Sequence, residues 1–507
     1  MKKITSILLI TFGLTLNAQV GSLDTSFGDD GKTITSINNN EKGYSVAIQD
    51  DGKILIAGYT SNSTYGEDFI CIRYNSDGTL DTSFGTSGIV ETDIQTGSDD
   101  RAKSIAIQSD GKIILAGYSD DGSERKATLI RYNPDGTMDN SFGTSGIVLT
   151  NFENEQQDLI NVIKIHTLTG KIIIGGESII SSTKSKPVLA RYNSDGSLDT
   201  SFNTTGIKLL WVTDLDYQYK FSIEDIEIKS SGKITAIGWR DFPSLTWSSD
   251  YWVCKVNSNG TMDTTFSTDG VTTYNGDFNG HDRGYSMLVK SSSNIVIAGG
   301  AYIGDSNYDF SIFEISSTGG VVSSGTHLDF ETTVITQDIA YGLSEDNNGK
   351  YILVGSSGNS SNKSITLTRV NQDLTIDSSF GISGKVITSF DGNAFNEVFD
   401  VVIQNDNKIV VVGYTGNNIV VARYIVEENL SVNDQFINEY SIYPNPTTEF
   451  LNINSVKNHH KVIIYNNLGQ IVKKIELNNN KINISNLIKG IYYIKINNSK
   501  GLKFMKK

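Results

Sequence analysis

Apolar and polar residues alternate along most of this chain in short runs. Between residues 103 and 150 the runs are KSIAIQ (103–108), KIILAGYS (112–119), ATLIRYN (127–133) and GIVLT (146–150). Each is rich in Ile, Val, Leu or Tyr, and Asp-Gly, Gly-Ser or other polar turns part it from the next. Period-two runs of this kind predict four antiparallel strands joined by tight turns. No long window carries the 3.6-residue stripe of a helix. The same four-run unit returns about every 60 residues, so the chain is read as a repeat protein before anything else.

Three markers fix the count. The first is an (L/M)D-x-S/T-F string with its aromatic at Phe27, Phe84, Phe142, Phe202, Phe266 and Phe380, and a shortened form ending at Phe330. The second is a Gly-Lys turn such as Gly52-Lys53 or Gly111-Lys112, degenerate at Ser293-Asn294 and Asn407-Lys408. The third is a strand ending in Arg-Tyr-Asn or its relics, at Arg73, Arg131, Arg191, Lys255, Glu314, Arg369 and Arg423. Each marker recurs seven times. Seven units of four antiparallel strands specify an all-β fold, a seven-bladed β-propeller, because closure into a ring leaves only short protected edges. In each unit a string like SDGTLDTSFGTSG (76–88) is expected to link the third strand to the outermost one. Asp77-Gly78 forms the turn, and Phe84 fills the space between adjacent blades. The chain opens on a lone LDTSFGDDGKTIT (23–35), and its last repeat stops at NIVVARYI (418–425). Residues 32–35 are therefore expected to complete the last blade.

The LDTSFG, DGKI-x-x-x-GY and RYN-x-DG strings resemble the delta-60 repeat, a propeller-forming unit of secreted bacterial proteins, over about residues 21–425. The resemblance implies a fold and no particular activity. Repeats four and five depart from it most: SSSNIVIAGG (291–300) lacks the Gly-Lys pair, and EIS replaces RYN at 314–316.

Charge divides the chain in two. From Phe436 to Lys507 there are 11 Lys and 3 Glu with no Asp or Arg, a net of +8; the whole chain carries −15, so the remainder carries −23. An acidic body of that size repels nucleic acid and anionic lipid, so neither is expected as its partner. At the N-terminus, Lys2 and Lys3 precede an apolar stretch (4–16) and a small-residue site ending at Ala18. That is the pattern of a cleaved secretory signal peptide over 1–18. No later stretch is long and apolar enough to span a membrane. The expected propeller occupies 19–427, with a polar linker at 428–437. Residues 438–507 alternate as a small β-sandwich. There Tyr443, Pro444, Asn445 and Pro446, a turn ending at Gly469, a strand around Gly490 and a lysine-ended terminus resemble the C-terminal sorting domain of the type IX secretion system. The resemblance implies the type IX machinery as a partner, export across the outer membrane, and release or attachment at the cell surface. Cys71 and Cys254 fall one position out of register in repeats one and four, hence on opposite strand faces, and no disulfide is expected.

Candidate chemistry is sparse. Asp24, Asp81, Asp139, Asp199, Asp263 and Asp377 recur with the repeat, which marks them as turn ligands for backbone N–H groups rather than catalytic acids. The N-x-D-G-x-x-D string at Asn75, Asp77, Gly78 and Asp81 resembles the later half of a calcium loop, but Arg73 stands where a first carboxylate belongs. An Arg–carboxylate pair is the competing account. No metal or other cofactor is expected, calcium at this string being the one exception weighed. The five histidines form no zinc-ligand array. All four tryptophans, Trp211, Trp239, Trp247 and Trp252, lie within 42 residues, beside Tyr217, Tyr251 and the enlarged loop RDFPSLTWSSD (240–250). These six aromatics are the ligand-binding candidates, Trp247 foremost; the competing account has the strand tryptophans filling a distorted blade. No catalytic residue is assigned. The expected function is a non-catalytic extracellular binding module for glycan or protein. The alternatives are a carbohydrate-active lyase or glycosidase using Asp214, Asp216, Asp277 or Asp282, and a structural spacer.

Overall fold

A computed structural model describes residues 19–38, 40–62, 66–153, 157–210, 219–242, 248–276, 280–304, 307–330, 337–359, 362–390, 395–427, 441–454, 460–466, 470–477, 480–496 and 502–507. The leader at 1–18, the linker at 428–437, Trp211, Tyr217, Trp247, Gly469, Asp214, Asp216 and Asp277 lie outside the described residues. The chain divides into two compact units, Met1–Glu428 and Asn429–Lys507.

The larger unit begins with β1 (Lys32–Thr35), then β2 (Glu41–Ile48), β3 (Ile54–Asn62), β4 (Gly66–Tyr74) and β5 (Ile89–Thr92). Strands β2 to β5 form blade one, antiparallel and in chain order from the inside outward. Five more four-stranded units follow at 99–150, 157–209, 220–274, 283–328 and 339–388. Blade seven takes three strands from 396–424 and its outer strand from β1, which pairs antiparallel with Asn418–Tyr424 in the register Lys32 to Ala422 and Thr35 to Ile419. The innermost strand of each blade lies beside those of its two neighbours, and the innermost strand of blade seven lies beside β2. The wheel is thus closed by strand pairing between the two ends of the domain.

Each of the three repeating markers has a packing reason. Phe27, Phe84, Phe142, Phe202, Phe266 and Phe380 are fully buried, and Phe330 nearly so. Each sits in an apolar cluster drawn from two adjacent blades; Phe84, for example, joins Leu55, Phe69 and Cys71 of blade one to Ile105, Leu115 and Ile130 of blade two. Burying one such ring contributes roughly 1.5–3 kcal/mol. Over it lies the guanidinium of the repeating arginine, with Arg73 Cζ 4.5 Å from the Phe84 ring centre. Arg73 Nε donates to Asp81 Oδ2 at 2.7 Å, and its Nη1 donates to the Pro134 carbonyl in the turn of the next blade. The Gly-Lys turn supplies Lys53, whose ammonium stands 3.3 Å from the same Asp81. Asp81 Oδ1 caps the turn by accepting from Ser83 N (3.1 Å) and Ser83 Oγ (2.7 Å). Arg131, Arg191, Arg369 and Arg423 make the same set with Asp139, Asp199, Asp377 and Asp24. Lys255 stands in for arginine in blade four, reaching the Ser317 carbonyl at 2.9 Å. In blade five the polarity is reversed: Glu314 pairs with Lys290 at 3.1 Å.

The oxygens of the calcium-like string are therefore engaged within the protein. Asp77 Oδ1 accepts from Thr79 N and Oγ1, and Asn75 donates to Thr79 Oγ1. Cys71 and Cys254 are free, buried thiols in clusters between blades one and two and between blades three and four.

In the smaller unit a three-stranded sheet (Ser441–Tyr443, Phe450–Asn454, Lys481–Asn483) and a four-stranded one (His460–Asn466, Ile471–Leu477, Gly490–Ile496, Leu502–Lys506) share one apolar core. Gly490 opens its strand opposite Lys506. Asn445 explains the YPNP string: its Nδ2 donates to the Lys503 carbonyl (3.0 Å) and its Oδ1 accepts from Met505 N (2.9 Å), tying the segment to the last strand. Pro444 and Pro446 flank it, while the Tyr443 ring is exposed.

Candidate functional site: the axial channel

The innermost strand of every blade carries an extra residue. Its register with the second strand slips between Gly43 and Ser45, Ala102 and Ser104, Ile160 and Val162, Ile223 and Asp225, Gly284 and Ser286, Ala340 and Gly342, and Val398 and Asp400. These are β-bulges, which bend the strand and re-aim the bulged side chain. The bulged residues are Tyr44, Lys103, Asn161, Glu224, Tyr285, Tyr341 and Phe399. All seven line one cavity of about 1450 Å³ that runs along the axis. Opposite each bulge the second strand carries glycine: Gly58, Gly117, Gly176, Gly238, Gly299, Gly355 and Gly413. A Cβ at any of them would overlap the carbonyl oxygen of the residue two before the bulge residue, such as Lys42 O for Gly58 or Ile339 O for Gly355. The glycine of the GY string is thus the space into which the bulge folds.

The ring is chemically lopsided. Tyr285 and Tyr341 lie 5.0 Å apart between ring centres, Tyr341 and Phe399 5.4 Å, and Phe399 and Tyr44 4.9 Å, an aromatic arc across four blades. Lys103 ends the arc, its ammonium 3.7 Å from the Tyr44 ring centre. Burial, with the neighbouring Arg101 charge, lowers the Lys103 ammonium to about 7. On the other side stands Glu224, pushed up by burial although Ser222, Trp239 and the Arg283 and Lys103 charges oppose the shift. Glu177 of blade three is likewise raised, to about 7, by burial and by the Glu224 charge. Asn161 donates to Ser222 Oγ (2.8 Å) and to the Ile223 carbonyl (3.0 Å). Further along the wall, Asp400 Oδ2 accepts from Val46 N (2.9 Å) and Asp225 Oδ2 from Met287 N (2.9 Å), each tying one blade to the next. Lys164 faces Asp225, whose charge holds its ammonium above the usual value.

The family described as "Domain of unknown function (DUF5122) beta-propeller" matches residues 49–84, 108–142, 169–202 and 347–380, and the "Secretion system C-terminal sorting domain" matches 441–507. The chain carries DUF5122 β-propeller repeats and a type IX sorting tail. Beta-agarase A of Zobellia galactanivorans is 26% identical over 180 residues, covering 33% of this chain and 32% of the agarase. Among solved structures, the polysaccharide lyase Uly1 superposes with a TM-score of 0.43 at 10% identity, covering 81% of this chain and 94% of that one. PorZ, a surface component of the type IX secretion system of Porphyromonas gingivalis, gives 0.39 at 12% identity, covering 95% of this chain and 60% of that one. Likenesses at this level carry no functional argument. The sorting tail means that the DUF5122 propeller is exported across the outer membrane, to be secreted or held at the cell surface. Among the described residues, no helix is long and apolar enough to cross a membrane.

The structure separates the aromatic candidates of blade four. Trp252 is buried in the cluster between blades three and four, edge-on to Phe221 at 6.1 Å. Tyr251 is buried between blades four and five, with its hydroxyl 3.2 Å from the Gly300 carbonyl. Trp239 reaches the channel: its indole N–H donates to Glu224 Oε1 at 2.8 Å, and the Arg283 guanidinium covers its ring at 4.3 Å. It occupies the position that Tyr59, Tyr118 and Tyr414 hold in their own blades. Asp282, the described acid among those considered for catalysis, is fully buried and accepts from Gly276 N (2.8 Å) and Tyr302 N (2.9 Å), a tie between strands. The bulge ring itself was not singled out in the sequence. Its signal is a column of the repeat, just before the strand that carries the GY glycine, in which residue type changes around the wheel.

Proposed function

We propose that the propeller is an extracellular binding module whose ligand is recognised at the axial ring of bulge residues. The observation that carries this reading is the division of labour within the repeat. Positions that recur, such as Phe84, Arg73, Asp81, Lys53 and Gly58, are engaged in packing and in ties between blades. The bulge column mixes aromatic, cationic, amide and acidic side chains and faces the cavity. Aromatic faces beside a carboxylate, an amide and an ammonium suit a glycan or a polar peptide, with stacking on Tyr285, Tyr341 and Phe399 and hydrogen bonds to Glu224, Asn161 and Lys103. Concave cavities lined this way, with a few polar groups fixing orientation, are where ligands bind propellers and other closed scaffolds.

A second reading is favoured by one observation. Burial raises both Glu177 and Glu224, the Glu224 charge adding to the rise at Glu177, and burial lowers the Lys103 ammonium to about 7. Groups tuned toward neutrality serve as general acids and bases, so an extracellular carbohydrate-active enzyme is the alternative. A screen of the whole chain against glycans and envelope proteins, assayed for both binding and turnover, separates the two. Binding without product supports the module; product formation abolished by Glu224→Gln and by Lys103→Met supports the enzyme. A chain that binds nothing and turns over nothing is a spacer.

A further inference from the structure

We propose that Asp68, Asp93 and Asp100 form a calcium site at the junction of blades one and two, and that Asp309, Asp329 and Asp338 form a second at the junction of blades five and six. In each triad, ligating oxygens from all three residues lie within 4.8 Å of one another. The two triads are the same three positions of the repeat: the third strand, the loop after the fourth, and the start of the next blade. In both, the third-strand aspartate is 5% exposed and carries a buried carboxylate oxygen, Oδ1, that accepts no hydrogen bond. Orphaned buried carboxylate oxygen is costly unless a cation meets it.

The other junctions show how the fold handles this position without an ion. Blades two and three place Lys126 and Lys186 there, and blades six and seven Ser364 and Asn418. Blade four keeps an acid, Asp250, and supplies Arg240 against it at 2.9 Å. Asp68 instead has Glu91, Asp93 and Asp100 around it; burial, a hydrogen bond shared with the Glu91 carboxyl and these like charges push it up to about 7. Burial and the charges of Asp329 and Asp338 do the same for Asp309, although Lys385 opposes them. Asp100 is held in place by Ile94 N (2.8 Å) on Oδ2 and Ser98 Oγ (2.7 Å) on Oδ1. Asp93 is exposed, which leaves an open side where water completes the six to eight oxygens that calcium takes. An all-oxygen, all-carboxylate set selects a hard cation over zinc or copper. These sites are separate from the N-x-D-G-x-x-D string, whose carboxylates already hold turn and arginine donors.

The test uses the full chain stripped with chelator, with thermal melts and calorimetric titration of calcium chloride, beside Asp68→Asn, Asp309→Asn and the double variant. Millimolar calcium is expected to raise the Tm of the parent chain by about 2 °C or more, with two ions bound per chain. The double variant is expected to lose the rise, and in chelator to melt no lower than the parent, because each substitution relieves repulsion. An unchanged parent Tm with no titration heat, or a calcium response that survives in the double variant, overturns the proposal.

Discussion

At the scale of the residue, one group of four side chains recurs around the wheel: an arginine lying on a phenylalanine, gripping an aspartate, with a lysine behind it. Both charges of the Arg131–Asp139 pair are almost wholly buried. Removing the arginine leaves Asp139 with Lys112, 3.0 Å away, as its remaining cation and takes the buried donor from the Ser194 carbonyl of the next blade, which typically costs about 1–3 kcal/mol. Arg131→Met is expected to lower the stability of the chain by that order in urea unfolding. Arg131→Lys is expected to recover part of the loss, since blade four already uses Lys255 to reach the next blade. Full stability in Arg131→Met would mean that the interblade tie is ornamental. The same logic separates Trp239 from Trp252. The first donates to a channel carboxylate and the second fills a core, so Trp252→Ala is expected to destabilise the chain by about 3–5 kcal/mol.

At the scale of the element, the bulge is what makes a strand into a presenter. The sequence shows strand count, turn chemistry and ring closure because these depend on period-two alternation and on residues repeated verbatim, such as the Asp-Gly turns and the Phe84 series. It hides the bulge, since one added residue in a short strand barely disturbs an alternating pattern. The glycines of the GY string were legible as a motif, yet their reason lies on the neighbouring strand, where the carbonyls of Lys42, Ile339 and their equivalents approach. The ring residues stayed hidden for the opposite reason: a column that reads Tyr, Lys, Asn, Glu, Tyr, Tyr, Phe looks like noise beside an invariant one. The tryptophan cluster drew attention through rarity, but burial assigns Trp252 to packing. Gly355→Ala should force the bulge at Tyr341 to relax, lowering stability by about 1–3 kcal/mol as overpacking does and weakening ligand binding together with it. Strand β1 gives a second expectation. A chain lacking residues 19–35 leaves Asn418–Tyr424 as an open edge, which invites pairing with another chain. Size-exclusion chromatography is expected to show association, and a well-behaved monomer would contradict the closure described above.

At the scale of the whole molecule, stability is set by two opposed sets of carboxylates. Burial alone would raise Asp24, but hydrogen bonds from Ser26 and Lys408 and the Arg423 charge hold it down to about 2. Asp81, Asp139, Asp199 and Asp377 are lowered in the same way. For these groups the unfolded chain binds more protons below about pH 4, so their stabilisation is present above that pH and is lost as pH falls toward 2. Asp68, Asp158, Asp309 and Glu177 are raised, chiefly by burial, to between about 6 and about 7. For these the folded chain holds more protons from about pH 4 upward, so stability falls as pH rises toward 7. Melts in chelator are therefore expected to peak near pH 4–5 rather than at neutrality; a maximum at pH 7 would contradict the burial of these acids.

The wheel as a whole separates what builds from what recognises, and binding by a ring variant tests that division most directly. For the tightest ligand returned by the screen, Phe399→Ala is expected to weaken affinity by about tenfold or more, as loss of a central aromatic contact does, while Tm stays close to that of the parent chain. Affinity equal to the parent's in that variant would place recognition elsewhere on the molecule and contradict the account.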